Sequence, residues 1–264
     1  MESTLVPLDA EPSASPGASP DTADEVEMTL TEHLEELRRR IAIAAGAILL
    51  FSCVFFVFSD QILHVLLLPA GGMELNAFNL MDGAMIKIHV ALFAGIVASF
   101  PIWGYHIYAY ISPGLYDHER KAIVPPMIVS LVLFVVGALF GFYLLWGIVR
   151  ALKDLFPSGV KLLPEADGYV SFVMFFLLAC GLAFQLPTLL IILVRLRILS
   201  VSVLTKQRKI AYFALFAFAE IITPVSDPIV APLTVMVPLL ILYEVSILIA
   251  RRIEANRLLV GDHV

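Results

Sequence analysis

Two clusters of ionisable residues stand apart in an otherwise apolar chain. The first is His33-Leu34-Glu35-Glu36-Leu37-Arg38-Arg39-Arg40, placed just before an apolar run. The second runs from Ser112 to Lys121 and holds Pro113-Gly114, Asp117, His118, Glu119 and Arg120. Carboxylates beside cations at a polar–apolar boundary can bind a charged partner. They can equally cap a helix, set membrane orientation or, around Pro113-Gly114, solvate a turn. Residue type alone leaves both readings open. Covalent catalysis has no comparable candidate: HExxH, GxSxG and P-loop patterns are absent, as is any Cys/His cluster of metal-ligand spacing. Cys53 and Cys180 both sit in apolar runs and read as small packing residues.

The elements that must position these clusters follow from composition. The chain has 264 residues, 60% hydrophobic and 15% charged, with a mean hydropathy of +0.92. Soluble domains carry about 25% charged residues. The values exclude an ordinary soluble enzyme, a disordered protein and a nucleic-acid binder, and two cysteines exclude a secreted disulfide scaffold. What remains is a polytopic membrane protein. The net charge of −6 is misleading until divided. Residues 1–27 hold seven acids and no Lys or Arg, so the acidity belongs to a tail. That tail is rich in Pro, Ser and Ala and is expected to be disordered. No apolar run follows a basic start, so no cleavable signal peptide is expected.

Residues 29–40 read as a short amphipathic helix, with Thr29 and Glu32 at capping-box spacing and Leu30, Leu34, Leu37 and Ile41 on one face. Six apolar runs follow: Ile41–Phe58, Ala84–Ile111 with Pro101 inside, Ala122–Val149, Tyr169–Val194 with Pro187, Ile210–Ile222, and Val230–Ala250 with Pro232 and Pro238. The expected fold is therefore all-α, six transmembrane helices in a bent, concave bundle. The fifth run, from 210 to 222, would rise only about 20 Å against a hydrocarbon core of about 30 Å. Prolines within spans free carbonyls that neighbours or water must satisfy. The expected organisation is a disordered tail over 1–27, the membrane domain over 28–250 and a short cytoplasmic tail over 251–264.

With six spans both termini share one side. That side carries Arg38, Arg39, Arg40, Arg120, Lys121, Arg195, Arg197, Lys206, Arg208, Lys209, Arg251, Arg252 and Arg257, thirteen of the 17 basic residues. The positive-inside rule makes it cytoplasmic. Within the spans the ionisable residues are few and scattered: Lys87, His89, Glu220 and Glu244. A small-solute or ion transporter, the alternative reading, needs polar groups converging at the midplane. No internal repeat supports it. An intramembrane protease lacks its Ser/His, paired-Asp or zinc set.

In order and spacing, five segments resemble the TatC family, the multispanning subunit of the twin-arginine protein translocase. Its opening HLxELRxR pattern is similar to His33–Arg40. Its first cytoplasmic loop is similar to Phe100-Pro101, Tyr105, Tyr108, Tyr110, Pro113-Gly114-Leu115-Tyr116 and Glu119-Arg120-Lys121. A fourth-span pattern matches Tyr169, Ser171-Phe172, Gly181, Phe184-Gln185 and Pro187. A TPxxDP turn matches Thr223-Pro224-Val225-Ser226-Asp227-Pro228, and PxxxLYE matches the stretch from Pro238 to Glu244. The resemblance covers about residues 28–250.

It implies a receptor that recognises signal peptides bearing two adjacent arginines and starts export of folded proteins across the bacterial cytoplasmic membrane. The family's recognition glutamates map to Glu36 and Glu119, with Leu34, Arg38, Tyr110, Pro113 and Arg120 beside them. A guanidinium presents a rigid fork that a carboxylate accepts bidentately, which lysine cannot reproduce. Neighbouring helical positions point about 100° apart, so Glu35 and Glu36 cannot both face one site. Contacts with single-span TatA/TatB-type subunits are implied at Pro69, Phe184, Gln185 and Asp227. Gln185 stands where many relatives have glutamate, and a helix–helix hydrogen bond is its plainer role. Self-association, contact with lipid and energy from the proton gradient are also implied. No cofactor, metal, nucleic acid or covalent reaction is. Four positions depart from the pattern: Tyr110 for Phe, Ala231 for Gln, His89 for Lys, and Glu220 without a counterpart.

Overall fold

A computed structural model describes residues 30–111, 124–154, 157, 163–223 and 230–261. The amphipathic segment and the first apolar run merge into one helix, α1 (Leu30–Phe56). No proline interrupts them, and a helix satisfies every backbone group as it enters lipid. α2 (Ser59–Leu67) and a 3₁₀ turn (Leu68–Ala70) follow, then α3 (Asp82–Ala98) and α4 (Phe100–Ile111). The third run is α5 (Val124–Asp154), and the fourth divides into α6 (Ala166–Ala183) and α7 (Leu186–Arg195). A short α8 (Val201–Lys206) leads into α9 (Arg208–Ile222) and α10 (Val230–Gly261).

Among the described residues four helical stretches are long and apolar enough to cross a membrane, and a fifth forms if the pair α3 and α4, bent by 54°, is one span. Six spans were expected from the sequence, and α9, at about 22 Å of rise, is the short fifth run. The segment between the first two runs holds α2 and the 3₁₀ turn. α10 continues as helix to Gly261, into the segment expected as a C-terminal tail.

The bend between α3 and α4 has an identifiable cause. Pro101 has no N–H for the helix ladder, and the chain resets at Ser99. Ile96 O, which would otherwise accept from residue 100, accepts the Trp103 indole N–H at 2.9 Å and the Ser99 hydroxyl at 3.3 Å. A carbonyl freed at membrane depth is thereby satisfied. Phe100 then stacks on Phe134 of α5 at 4.1 Å, with Trp103 edge-on to Phe100 at 4.7 Å. These rings hold α4, and with it the entry to the second charged cluster, against α5.

Packing centres on α6, whose Val170, Val173, Phe176 and Cys180 are almost wholly buried. Small residues allow the close seams. A Cβ on Gly137 of α5 would lie 2.7 Å from Cys180 O, and one on Gly181 would lie 2.9 Å from the Phe134 ring. A Cβ on Gly95 of α3 would lie 2.7 Å from Ser52 N and 2.9 Å from Ile48 O of α1. Lipid supplies no hydrophobic drive between helices, so such close contacts carry the association. α1, by contrast, has hardly any fully buried residue: its half-buried face lies along the bundle on α3 and α4.

The bundle has two polar ends. At the far end from the α1 N-terminus, Asn76 N–H donates to Pro164 O at 3.0 Å and Ala166 N–H donates to Asn76 O at 2.9 Å. This is the isolated bridge between Asn76 and Glu165. Lys153 Nζ donates to Ala70 O at 2.5 Å, and Gly71, at φ +58°, ends the 3₁₀ turn in a left-handed conformation.

Candidate functional site: the charged rim

α1 carries Glu36 one turn before Arg40, on a face turned toward α4. Arg40 donates from Nε to Glu36 Oε1 at 2.9 Å and also from Nη2 to the same oxygen. The two side chains are only 21% and 22% exposed. Glu36 Oε2 is buried and has no hydrogen-bond partner among the described residues. The carboxylate is therefore half used: one oxygen takes two N–H groups and the other takes none. Glu35, a step of about 100° away, is exposed, as are Arg38, Arg39 and Leu34. Of the two neighbouring glutamates, Glu36 is thus the half-buried one.

His106 of α4 feels the charges of Arg39 and Arg40, and its Nδ1 is likewise buried without a partner. Tyr110 is half-buried near the end of α4 and is not free of partners. Pro113, Glu119 and Arg120 lie outside the described residues, as does Asp227. Beside the rim, a cavity of 280 Å³ opens between α4, α5, α7 and α10, lined by Tyr108, Thr188, Arg195 and Ile253 among others.

A second glutamate, midway along α10, has a different environment. Glu244 of α10 accepts Arg208 Nη2 at 2.8 Å on Oε2 and the Tyr212 hydroxyl at 2.6 Å on Oε1. Both oxygens are engaged from α9, and only Arg208 Nε is left unpartnered. Tyr243 donates to Leu204 O at 2.9 Å, which ties α8 to α10. The short α9 is thereby held by polar bonds where length cannot hold it. Sequence reasoning noticed Glu244 but missed Arg208 and Tyr212, since 36 and 32 residues separate them from their partner. The Glu36–Arg40 pair was also missed, although its i,i+4 spacing is a readable signal.

The remaining residues singled out from sequence sit in the bundle. Gln185, between α6 and α7, accepts the Ser130 hydroxyl at 2.6 Å and donates from Nε2 to Ser130 O at 2.8 Å. It also lines a largely apolar cavity of 520 Å³ bounded by α6 to α10, together with Leu189, Leu204, Ala211, Leu215 and Tyr243. Phe184 is buried against α5, its ring 5.5 Å from Phe140, and Pro69 is buried in the 3₁₀ turn. At the far end Lys87 pairs with Asp60 at 2.8 Å, and His89 Nδ1 lies 3.0 Å from Asp167. These pairs and the Glu244 cluster share no residue, so the charged groups do not converge on one site. Among the described residues no group of three His, Cys, Asp or Glu could hold a metal ion.

Bent and short apolar helices around a buried α6, with charge confined to two rims, define a multi-pass membrane protein whose polar chemistry is at its surface. Residues 32–238 match the family described as Sec-independent protein translocase protein (TatC). A Carboxydothermus hydrogenoformans protein of that name is 37% identical over 86% of this chain and 94% of its own length. The Bacillus subtilis Sec-independent protein translocase protein TatCy is 38% identical, over 85% of this chain and 89% of its own. A crystal structure of the twin-arginine translocase receptor TatC superposes with a TM-score of 0.72 at 30% identity, covering 83% of this chain and 98% of that one. The chain belongs to the TatC family.

Proposed function

We propose that this chain is the receptor subunit of a twin-arginine translocase in a bacterial cytoplasmic membrane. It binds twin-arginine signal peptides at the rim formed by the start of α1 and the loop after α4. It thereby starts export of folded proteins and catalyses no covalent reaction. The observation that carries this reading is Glu36: a rim carboxylate that already accepts a guanidinium fork and keeps one oxygen unused. Glu119 would supply a second carboxylate for the second arginine. Leu34, Arg38, Tyr110, Pro113 and Arg120 would line the approach. The chain would cross the membrane six times, with α3 and α4 as one bent span and α9 as a short one, and both termini would be cytoplasmic by the distribution of basic residues.

Single-span partner subunits of the TatA/TatB type would pack on α6 to α10. The apolar cavity of 520 Å³ there supports this, since its walls are long aliphatic side chains with a glutamine at hand. Pro69, Phe184 and Gln185 would act through that packing by shaping the bundle, because Pro69 and Phe184 are buried and Gln185 is bonded to Ser130. Asp227 would lie at the opposite face of the same contact.

Crosslinking tests the reading. Glu36→Ala and Glu119→Ala should each abolish crosslinking of a twin-arginine signal peptide while the protein remains membrane-inserted. Unchanged crosslinking in both variants would overturn the assignment of the site.

A further inference from the structure

The Glu36 carboxylate is already occupied by the same chemical group that the proposed guest brings. Arg40 offers its guanidinium from one turn away on the same helix, and both of its N–H donors go to Oε1. A guanidinium fork binds a carboxylate best with one N–H to each oxygen. Arg40 does not make that arrangement, and Oε2 stays buried without a partner among the described residues. An unsatisfied buried acceptor is costly, more so for a charged group. Pairs at i,i+4 on a helix are weak. The resident pair is therefore both suboptimal and easily opened, since Arg40 needs only a change of rotamer to leave.

From this geometry we infer that Arg40 is a resident guanidinium that occupies Glu36 until an arginine of the signal peptide displaces it, and that Arg40 thereby sets the affinity threshold of the receptor. The inference rests on the reading of Glu36 as a signal-peptide contact. An incoming arginine takes both oxygens and satisfies Oε2, and the freed Arg40 turns to water or lipid phosphate at the rim. Every guest has to open the same resident pair, whatever its own side chains. Arg40 therefore lowers the affinity for twin-arginine and twin-lysine peptides by the same factor. It pushes the weaker guest out of the working range and leaves the ratio between the two unchanged. Arg40 is in this sense a threshold-setting residue that never touches the bound peptide.

The test uses the full chain in lipid nanodiscs, titrated with a fluorescein-labelled twin-arginine signal peptide and with its Lys-Lys counterpart. Arg40→Gln should tighten both peptides by roughly twofold, the range expected on removing an i,i+4 helical ion pair. The ratio of the two dissociation constants should stay as in the wild type. In a Glu36→Gln background the same substitution should give no gain, because Arg40 acts only through Glu36. Unchanged or weaker binding by Arg40→Gln overturns the inference and makes Arg40 an orienting partner, as does tightening confined to one peptide. If Arg40→Gln fails to insert, Arg40→Lys decides: a gain of roughly 1.5-fold supports the inference, since a point charge holds the carboxylate less well than a fork, and no gain overturns it. A wild-type chain that does not prefer the arginine peptide would instead overturn the functional reading itself.

Discussion

Glu36 and Glu244 both hold an arginine, yet the two pairs are built in opposite ways. Glu244 receives Arg208 and Tyr212 from a different helix, with one donor on each oxygen. Its bonds close a tertiary contact and fasten a helix too short to span by itself. Glu36 receives a neighbour from its own helix, on one oxygen only, while α1 around it is half-buried to exposed. Breaking that pair opens no tertiary contact. A saturated carboxylate between two elements is an anchor. A half-saturated one on a peripheral helix is available for exchange, and low local stability is what a binding surface requires.

This contrast can be broken by substitution. The largest loss of stability is expected for Glu244→Ala, which removes two bonds to a charged acceptor and frees α9. A cost of about 2–3 kcal/mol is expected, discounted for the partial exposure of the cluster, and read as a lowered midpoint of thermal unfolding in detergent. Gly95→Val follows, since its added atoms meet the backbone of α1 at Ile48 and Ser52. Overpacking of this kind costs about 1–3 kcal/mol, and protease resistance of the α1–α3 pair should fall with it. Tyr212→Phe removes a single hydroxyl donor and should cost about 1 kcal/mol. Glu36→Gln is the smallest on this scale, at about 0.5 kcal/mol or less, the value of a helical i,i+4 pair. If Glu36→Gln destabilised the protein as much as Glu244→Ala, the distinction between anchor and exchange site would fail.

Much of the fold was legible because lipid simplifies the rules. Runs of apolar residues located α1, α5, α6 and α10, and Pro101 and Pro187 marked where the second and fourth runs divide. The short fifth run was legible from its length alone. α2 was legible in part, since Ile62, Leu63, Leu66 and Leu67 recur at helical spacing; the 3₁₀ turn was not, because its Ala70 carbonyl is bonded by Lys153, which is distant in sequence. The continuation of α10 to Gly261 was hidden because a loss of hydropathy ends a span but not a helix. At the site, Glu36 was legible from motif position, and its partner Arg40 was there in the spacing. Arg208 and Tyr212 could not be assigned to Glu244, since only the packing of α9 on α10 brings them together. The Gln185–Ser130 bond followed the plainer of two roles, because a glutamine at membrane depth takes the nearest backbone carbonyl and hydroxyl that face it.

The central claim is that recognition belongs to Glu36 and architecture to Glu244. It is tested most directly by measuring one labelled twin-arginine peptide against wild type, Glu36→Gln and Glu244→Gln in the same nanodiscs, at a temperature where all three remain folded. Glu36→Gln should weaken binding at least tenfold, about 1.4 kcal/mol, while Glu244→Gln stays within about twofold of wild type. Equal losses in the two variants, or a loss confined to Glu244→Gln, would contradict the account.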